Sequence, residues 1–237
     1  MPPAVVLCVY RARNARVVRR LVRQAVTSGA EVRLWALDEV VPSLAAVTVG
    51  SGPGGKFALA DRLLAAAPVP RDAWVVVADD DVRLPLKRFL ALAGRAAFDL
   101  SMPAHLRHRS NLSHAITLRA RWSLARVTEF VEIGPVFAVS PAWRDEVLPF
   151  GDVGMGWGLE ADWYGLSRRG ARLGIVDAAP CRHLAPVAAS YEQGEERDRM
   201  AARLAANGLG GLHEVQRTLA TWRPWQRTPP WLRRQPT

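Results

Sequence analysis

The sequence contains few cysteines and no long apolar segment. Among its 237 residues the two cysteines, Cys8 and Cys181, are too few and too far apart for a disulfide framework or a zinc motif. Apolar runs reach only about seven residues before a charge or a proline interrupts them, whereas a helix that spans a membrane needs about 20. The N-terminus also lacks the order of charges, apolar core and cleavage site that marks a secretory signal. These absences predict a reduced, cytoplasmic protein without a transmembrane helix.

Lysine is nearly absent, and the basic residues outnumber the acidic ones. Of the 32 basic residues only Lys56 and Lys87 are lysines, and the excess over 22 acidic residues gives a net charge of +10. This charge favours polyanionic partners such as a nucleotide diphosphate, a lipid headgroup or a nucleic acid. No nucleic-acid-binding motif accompanies the charge, and aromatic residues are not interleaved with it in the predicted strands. We therefore expect no nucleic-acid partner.

Strands and helices alternate in the first half of the chain. Ala4 to Tyr10 is a predicted strand, the helix after Asn14 carries apolar residues at helical spacing, and Trp74 to Ala78 is another buried strand. This alternation predicts an α/β fold with a mostly parallel central sheet flanked by helices. With 49% apolar residues the chain can form one large domain. We place this domain at residues 1–221, followed by a tail rich in Trp, Arg and Pro at 222–237.

The second half of the chain is less regular. We predict strands at 98–102, 127–133, 136–139 and 172–176, helices at 141–148 and 159–168, and a helical pattern from 192 to 219. The short strands are expected to extend the sheet of the first half.

Three consecutive carboxylates, Asp79, Asp80 and Asp81, follow the buried strand at 74–78. In an open α/β sheet, ligands bind at the carboxyl ends of the strands, so these residues lie where a site is expected. Adjacent carboxylates repel one another unless a cation neutralises them, and hard divalent cations take oxygen ligands of this kind. Such a cation can bridge the phosphates of a nucleotide sugar and stabilise the departing diphosphate.

The segment WVVVADDDV, residues 74–82, resembles the DxD segment of GT-A glycosyltransferases, and its DDDV form is similar to that of the fringe-like galactosyltransferases. The resemblance implies a Rossmann-like GT-A fold, a nucleotide-sugar donor and a bound Mn²⁺ or Mg²⁺. It places Asp81 on the metal, with Asp79 and Asp80 toward the donor. Asp79 is expected to contact the metal as well.

A second motif, GMGWGLEAD at residues 154–162, resembles the segment that follows the DxD in several GT-A families. The resemblance implies that Gly156, Trp157 and Gly158 shape the acceptor site. It also implies that a carboxylate takes the proton from the attacking hydroxyl, which is general-base chemistry.

Two carboxylates of this motif are candidates for the base. We expect Asp162 to be the base and Glu160 to be its partner. Because residues two apart on a helix do not share a face, one of them should reach the site while the other binds the acceptor or braces the loop.

The resemblance also assigns residues elsewhere in the chain. GT-A enzymes often take a third metal ligand from a late histidine, and His183 holds the matching place here. Side chains near the donor are expected from the first strand and the glycine-rich loop, namely Arg11, Arg13, Asn14, Lys56 and Arg62. His105, His108 and His114 are expected to line the donor pocket.

These motifs predict a metal-dependent glycosyltransferase that transfers a sugar to a hydroxyl acceptor, with inversion if Asp162 is the base. UDP-sugars are favoured as donors because they are frequent in the family. A lipid-linked acceptor would place the protein at a membrane surface, with the Trp and Arg residues of the tail on anionic lipid. The tail is equally open to two other interpretations: a lid that closes over the bound donor, or a strap whose Trp rings pack on the domain. Two alternatives use a similar acidic metal site: a nucleotidyltransferase and a haloacid-dehalogenase-type phosphatase. The phosphatase expects its DxD near the N-terminus and a lysine on a later strand, and Lys56 and Lys87 are badly placed for that role.

Overall fold

The computed structural model describes residues 2–107, 110–111, 113–185 and 194–233. Its strands are β1 Ala4–Tyr10, β2 Glu31–Ala36, β3 Thr48–Ser51, β4 Trp74–Asp79, β5 Val82–Arg83, β6 Leu100–His105, β7 Ala125–Thr128, β8 Val136–Val139, β9 Leu173–His183 and β10 Thr218–Trp222. Its α-helices are α1 Ala15–Val26, α2 Lys56–Ala65, α3 Leu86–Arg95, α4 Arg144–Val147, α5 Leu159–Arg168 and α6 Gly194–Ala206. Within these ranges no helix is long and apolar enough to cross a bilayer.

The strands form one sheet with helices on both sides. Their order is β10-β7-β9-β6-β8-β4-β1-β2-β3, and β5 pairs with β9 outside this path. The neighbours β3, β2, β1 and β4 run parallel, as do β6 and β9. Strand β8 runs antiparallel to β4 and β6, and β7 runs antiparallel to β9 and β10. The predicted α/β fold, one domain with a mostly parallel central sheet flanked by helices, is confirmed.

Side chains of the central strands divide between the two faces of the sheet. In β1, Val6 and Cys8 join one apolar core, and Val5 and Leu7 join the other, because successive side chains of a strand point to opposite faces. Helices α1 and α3 cover the first face, and α2 and α5 cover the second. Between these two layers of helices, the parallel pairing of β1 with β4 places the carboxyl ends of both strands side by side.

Helix α1 shows how the sequence produces this cover. Its buried residues Val18, Leu21 and Ala25 recur at spacings of three and four, which places them on one face. The arginines of the helix occupy the other positions. The helix ends before Gly29, which adopts a φ of 76° in the left-handed region that favours glycine.

Two predicted elements in the second half of the chain are wrong. The predicted strand at 127–133 ends at Thr128 in β7, and the following residues leave the sheet. The predicted helical pattern at 192–219 holds only to Ala206, because Gly208 with a φ of 68° ends the helix and residues 218–222 form β10. Residues 192 and 193 of that pattern lie outside the described ranges.

Parts of the segment 222–233 pack against the domain. Strand β10 crosses the predicted boundary at 221, and Trp222 is fully buried. Trp231 stacks on Phe98 with a centroid separation of 5.8 Å, and its indole N–H donates to the backbone carbonyl that follows α3. Trp225 is 70% exposed. The division of the chain at 221 stays a prediction.

Candidate active site

A cavity of about 1010 Å³ lies at the carboxyl ends of β1, β4 and β6. The chain after β1, the acidic triplet after β4 and the glycine-rich motif before α5 meet there. The sequence-predicted site residues that line the cavity are Arg11, Arg13, Asn14, Lys56, Asp79, Asp80, Asp81, Trp157, Gly158, Glu160 and His183. Three other predicted residues, Arg62, Gly156 and Asp162, are absent from the described part of its wall.

Asp79, Asp81 and His183 form a group that can hold a metal ion, because one ligand atom from each lies within 4.8 Å of the others. Asp79 is the last residue of β4. The short strand β5 begins directly after Asp81 and pairs antiparallel with the end of β9, so that Val82 lies opposite His183. This pairing places Asp81 Oδ2 3.3 Å from His183 Nε2.

The charges of this group suit a divalent cation. Burial raises the pKa of Asp81, but the hydrogen bond and charge of His183 and the backbone N–H of Ala185 lower it overall. Burial lowers the pKa of His183, but the hydrogen bond and charge of Asp81, together with the charge of Asp79, raise it overall. A cation in place of the proton on His183 would neutralise both carboxylates. Two carboxylate oxygens and one imidazole nitrogen are donors that fit a cation such as Mn²⁺.

Lys56 is the first residue of α2, directly after the glycine-rich loop. Its ammonium lies 2.7 Å from Asp79 Oδ1 and donates to the carbonyl of Ile133 at 3.0 Å. Asp79 therefore belongs both to this ion pair and to the metal-binding group.

Asp80 binds the chain that follows β1. Its Oδ2 accepts a hydrogen bond of 2.8 Å from the backbone N–H of Arg11, and the Asn14 side chain also donates to it. Burial, with the neighbouring carboxylates, raises the pKa of Asp80 despite these hydrogen bonds. Asp80 thus fixes the residues that enter α1 against the acidic triplet. Its predicted contact with the donor stays a prediction.

Of the residues predicted near the donor, some line the cavity and Arg62 does not. Arg11, Arg13 and Asn14 line the cavity in the turn that precedes α1. Arg62 instead lies over Trp35, with its guanidinium carbon 5.5 Å from the ring centroid. The reason is helical geometry, since six residues separate Arg62 from Lys56 and place the two side chains on different faces of α2.

The glycine-rich motif before α5 adopts a backbone conformation that residues other than glycine rarely adopt. Gly154, Gly156 and Gly158 each have a positive φ in the left-handed region. A side chain at Gly156 would collide with the ring of Phe57, so glycine allows the loop to lie directly on α2. Consequently Gly156 packs behind the cavity, while Trp157 and Gly158 line it.

Glu160 is the carboxylate of α5 that reaches the cavity. It is 3% exposed, and its Oε1 accepts a hydrogen bond of 3.4 Å from the backbone N–H of Ile133. Its Oε2 has no hydrogen-bond partner within the described part of the chain. Burial, together with the charge of Glu132, raises the pKa of Glu160 to about 7.

Asp162 points elsewhere. Its carboxylate is bound by the guanidinium of Arg203 in α6 and by the side-chain amide of Asn207 at 2.9 Å. These contacts join α5 to α6. Of the two carboxylates of the motif, Glu160 lines the cavity, whereas Asp162 is absent from its described wall and joins two helices. The roles of the two residues in catalysis stay a prediction.

Glu132 is a cavity residue that no sequence motif indicates. It lies between β7 and β8, is 6% exposed and lines the cavity. Its Oε2 lies 3.6 Å from Nε2 of His105, which is within ion-pair range but too long for a hydrogen bond. The only signal in the sequence is a single charge inside an apolar run. His105 and His114 line the cavity, whereas His108 lies outside the described residues.

No family model and no curated protein matches this sequence. Solved structures resemble its fold. A structure of GalNAc-T7 with UDP, GalNAc and Mn²⁺ aligns at a TM-score of 0.58 and 9% identity, covering 86% of this chain and 48% of that chain. S. aureus TarS, residues 1–349, aligns at a TM-score of 0.52 and 14% identity, covering 86% of this chain and 71% of that chain.

An inositol-1-phosphate CTP transferase from T. maritima aligns at a TM-score of 0.43 and 12% identity, covering 87% of this chain and 98% of that chain. This chain spans about half the length of the GalNAc-T7 chain that it resembles. At these identities the first two likenesses establish the fold, which is that of the GT-A glycosyltransferases. The predicted GT-A resemblance is confirmed at this level.

Proposed function

We propose that the protein is a metal-dependent glycosyltransferase that transfers a sugar from a nucleotide-sugar donor to a hydroxyl acceptor. The observation that carries this proposal is the group formed by Asp79, Asp81 and His183, at the carboxyl end of a central strand and in the wall of a large cavity. Ligands of open α/β sheets bind at this edge. The GT-A fold of the chain supports a transferase.

The proposed donor is a UDP-sugar, and the proposed cation is Mn²⁺, with Mg²⁺ as the second choice. The GalNAc-T7 structure, which shares the fold, holds UDP, GalNAc and Mn²⁺. In the present chain Asp79, Asp81 and His183 would hold the cation. When bound, such a cation offsets the charge that develops on the leaving diphosphate.

Residues around the cation are proposed to bind the nucleoside and the phosphates of the donor. We assign this role to Arg11, Arg13 and Asn14, which lie between β1 and α1. Lys56 lies at the start of a helix beside Asp79, and phosphate is favoured at helix N-termini. Arg62 is not part of the proposed site because its guanidinium lies over Trp35.

Glu160 is proposed as the base in place of Asp162. A general base must contact the hydroxyl whose proton it takes. Glu160 lines the cavity and its Oε2 has no hydrogen-bond partner among the described residues, whereas Asp162 is bound by Arg203. As the hydroxyl oxygen attacks the anomeric carbon, Glu160 accepts its proton and the nucleoside diphosphate leaves. Direct displacement of this kind inverts the anomeric centre. Trp157 and Gly158 form the acceptor side of the cavity.

The proposed setting is a cytoplasmic membrane surface. The free cysteines Cys8 and Cys181 are buried, which is compatible with a reducing compartment. Trp122 and Trp225 are 59% and 70% exposed, and Arg121 lies over the ring of Trp122. Exposed Trp and Arg together are typical of surfaces that rest on anionic lipid, which would suit a lipid-linked acceptor.

Replacing both tryptophans with alanine should lower sedimentation with anionic vesicles, and unchanged sedimentation would contradict this setting.

The proposal is tested by calorimetry of UDP binding with and without Mn²⁺. In Asp81→Ala the cation loses a direct carboxylate, so Mn²⁺-dependent UDP binding should be abolished. Asp145→Asn is the matched control because Asp145 is 96% exposed and remote from the group. Undiminished Mn²⁺-dependent binding in Asp81→Ala would reject the metal site.

A screen of UDP-, GDP- and dTDP-sugars by thermal shift tests the donor, because a ligand that binds only the folded state raises its melting temperature. A Mn²⁺-dependent shift with one nucleotide sugar is expected. Cleavage of nucleoside triphosphates without turnover of any nucleotide sugar would indicate a nucleotidyltransferase instead.

A further inference from the structure

Three buried polar atoms of the cavity have no hydrogen-bond partner within the described ranges: Glu132 Oε2, Glu160 Oε2 and His105 Nε2. Their residues are 6%, 3% and 0% exposed, and all three line the cavity. Unpaired buried polar atoms cost stability, and carboxylates cost most because burial removes their hydration. Each such group in a folded protein calls for an explanation, and a bound ligand that supplies the missing partner is one.

The two glutamates lie close enough to affect each other. Ile133, directly after Glu132, donates its backbone N–H to Glu160 Oε1 at 3.4 Å. The charge of Glu132 is also one of the causes, after burial, that raise the pKa of Glu160. The negative charge of Glu132 therefore disfavours the ionised form of Glu160 unless a cation binds beside them.

The cationic side chains nearby are engaged elsewhere. Lys56 is bound by Asp79 and by the carbonyl of Ile133. His105 shares a hydrogen bond of 2.6 Å between its Nδ1 and Ser110 Oγ, while its Nε2 remains 3.6 Å from Glu132. Within the described ranges neither side chain donates a hydrogen bond to Oε2 of Glu132 or of Glu160, although His105 lies within ion-pair range of Glu132.

The charge of the cavity is opposite to that of the protein. Although the chain carries a net charge of +10, carboxylates outnumber permanent cations among the described residues of the wall. The carboxylates are Asp38, Asp79, Asp80, Asp81, Glu132 and Glu160, and the cations are Arg11, Arg13 and Lys56. A divalent cation and the diphosphate of a donor carry opposite charges that offset each other. The acidic excess of the described wall therefore favours a further cationic ligand.

We propose that the acceptor is an amino alcohol, such as an amino sugar, whose protonated amine binds Glu132 and Glu160 and whose neighbouring hydroxyl receives the sugar. This inference rests on the proposed function because it assigns the acceptor of the same site. Glu132 binds the ammonium. Glu160 contacts both the ammonium and the reacting hydroxyl.

In the proposed transfer step the amine holds the acceptor in place and takes no part in the bonds that form and break. The acceptor oxygen forms the new bond to the anomeric carbon, and Glu160 takes the hydroxyl proton. The nucleoside diphosphate leaves with the electron pair of the broken bond, and the amine is unchanged. A bound ammonium also favours the carboxylate form of Glu160, so the acceptor itself brings the base into its reactive state.

A second metal ion is the competing occupant of the two glutamates. The metal-binding group found within the described ranges consists of Asp79, Asp81 and His183, without either glutamate. The ammonium proposal predicts one Mn²⁺ per chain in a titration. A second Mn²⁺ that is lost in Glu132→Gln would overturn it.

The decisive experiment measures acceptor affinity by ligand-observed NMR on the full chain saturated with UDP and Mn²⁺. The probes are matched pairs that differ in one group: glucosamine with glucose, galactosamine with galactose, and serinol with glycerol. N-acetylglucosamine keeps the nitrogen but replaces the charged amine with a larger neutral amide. We expect at least one amine to bind about tenfold or more tightly than its neutral partner, because the neutral partner leaves buried charges unpaired.

Variants then test the residue assignment. Glu132→Gln should remove the amine preference and leave UDP affinity unchanged, Glu132→Asp should retain part of the preference, and Asp145→Asn should change neither. If Glu132→Gln does not fold, the matched pairs with the unaltered protein and with Glu132→Asp remain decisive. Failure of Mn²⁺-dependent UDP binding rejects the proposed function. Intact UDP binding, with equal or undetectable binding of amines and their partners, rejects only the amine acceptor.

Discussion

The ammonium of Lys56 lies 2.7 Å from Asp79 Oδ1, on a carboxylate that also belongs to the metal-binding group. A metal bound to this group would therefore compete with Lys56 for the carboxylate of Asp79. With the proposed donor bound, its phosphates would provide a second partner for the lysine. The ion pair thus has opposite effects on the two ligands, since it opposes the cation and favours the anion.

Lys56→Gln should accordingly change the two affinities in opposite directions. Without nucleotide, Mn²⁺ should bind roughly three- to tenfold more tightly, because Asp79 is released from a competing cation. With Mn²⁺ present, UDP should bind more weakly by a similar factor. Calorimetric titrations of each ligand measure both effects, and Lys87→Gln is a control on the other lysine. A change of the same sign for both ligands would contradict the shared-carboxylate interpretation.

The two carboxylates of α5 should differ in kinetics. Glu160→Gln should lower turnover by about two to four orders of magnitude, as expected for loss of a general base. Asp162→Asn should keep most of the turnover but lower the melting temperature, because the ion pair with Arg203 is lost. Turnover of the best nucleotide sugar and thermal melts test both variants together. If the losses of turnover are reversed, Asp162 is the base after all.

The pKa of Glu160 predicts a specific dependence of stability on pH. Burial raises this pKa from its ordinary value of 4.5 to about 7, so the folded state holds the proton more tightly than the unfolded chain. Stability linked to this proton is fully present below pH 4.5 and is lost as the pH rises to about 7. The free energy of unfolding, relative to that of Glu160→Gln, should fall by about 3 kcal/mol over this window. Urea unfolding at successive pH values measures it, and a constant difference would show that the carboxyl titrates normally.

Two tryptophans of the C-terminal segment should respond very differently to replacement by alanine. Trp222 is fully buried at the end of β10, so Trp222→Ala should reduce the free energy of unfolding by about 3 to 5 kcal/mol. Trp225 is 70% exposed, so Trp225→Ala should change it by less than about 0.5 kcal/mol. Chemical denaturation of both variants provides the comparison. Equal losses would mean that the segment does not pack as described.

Local sequence signals predicted α5 correctly and β9 only in part. The predicted helix at 159–168 matches α5, because a glycine loop precedes it and acidic residues in its first turn suit the helix dipole. The predicted strand at 172–176 stops short, because Asp177 reads as the end of a strand. In the structure Asp177 is fully buried, with its Oδ2 2.9 Å from Nε of Arg126, and β9 continues to His183. Only the folded chain brings Arg126 to this position.

Some residues of the candidate site can likewise be predicted from local sequence, whereas others depend on tertiary contacts. Asp79 and Asp81 could be predicted because a buried strand that ends in carboxylates is visible in the sequence. The different surroundings of Glu160 and Asp162 could not be predicted, because they depend on Arg203, which comes from α6. Glu132 lies within an apolar run that predicts a strand to residue 133. In the structure β7 ends at Thr128, and Glu132 lines the cavity from the loop that follows.

The pairing of β5 with the end of β9 determines which insertions the protein can tolerate. His183 stands opposite Val82 through strand register, so its distance to Asp81 does not depend on the length of the connections between residues 84 and 172. Surface loops there can lengthen or shorten without moving the ligands. A single residue added between Cys181 and His183, which pair in register with neighbouring strands, would instead shift the register and turn the imidazole to the other face of the strand. Natural length variation among homologues should therefore occur in the outer loops and not within residues 181–183.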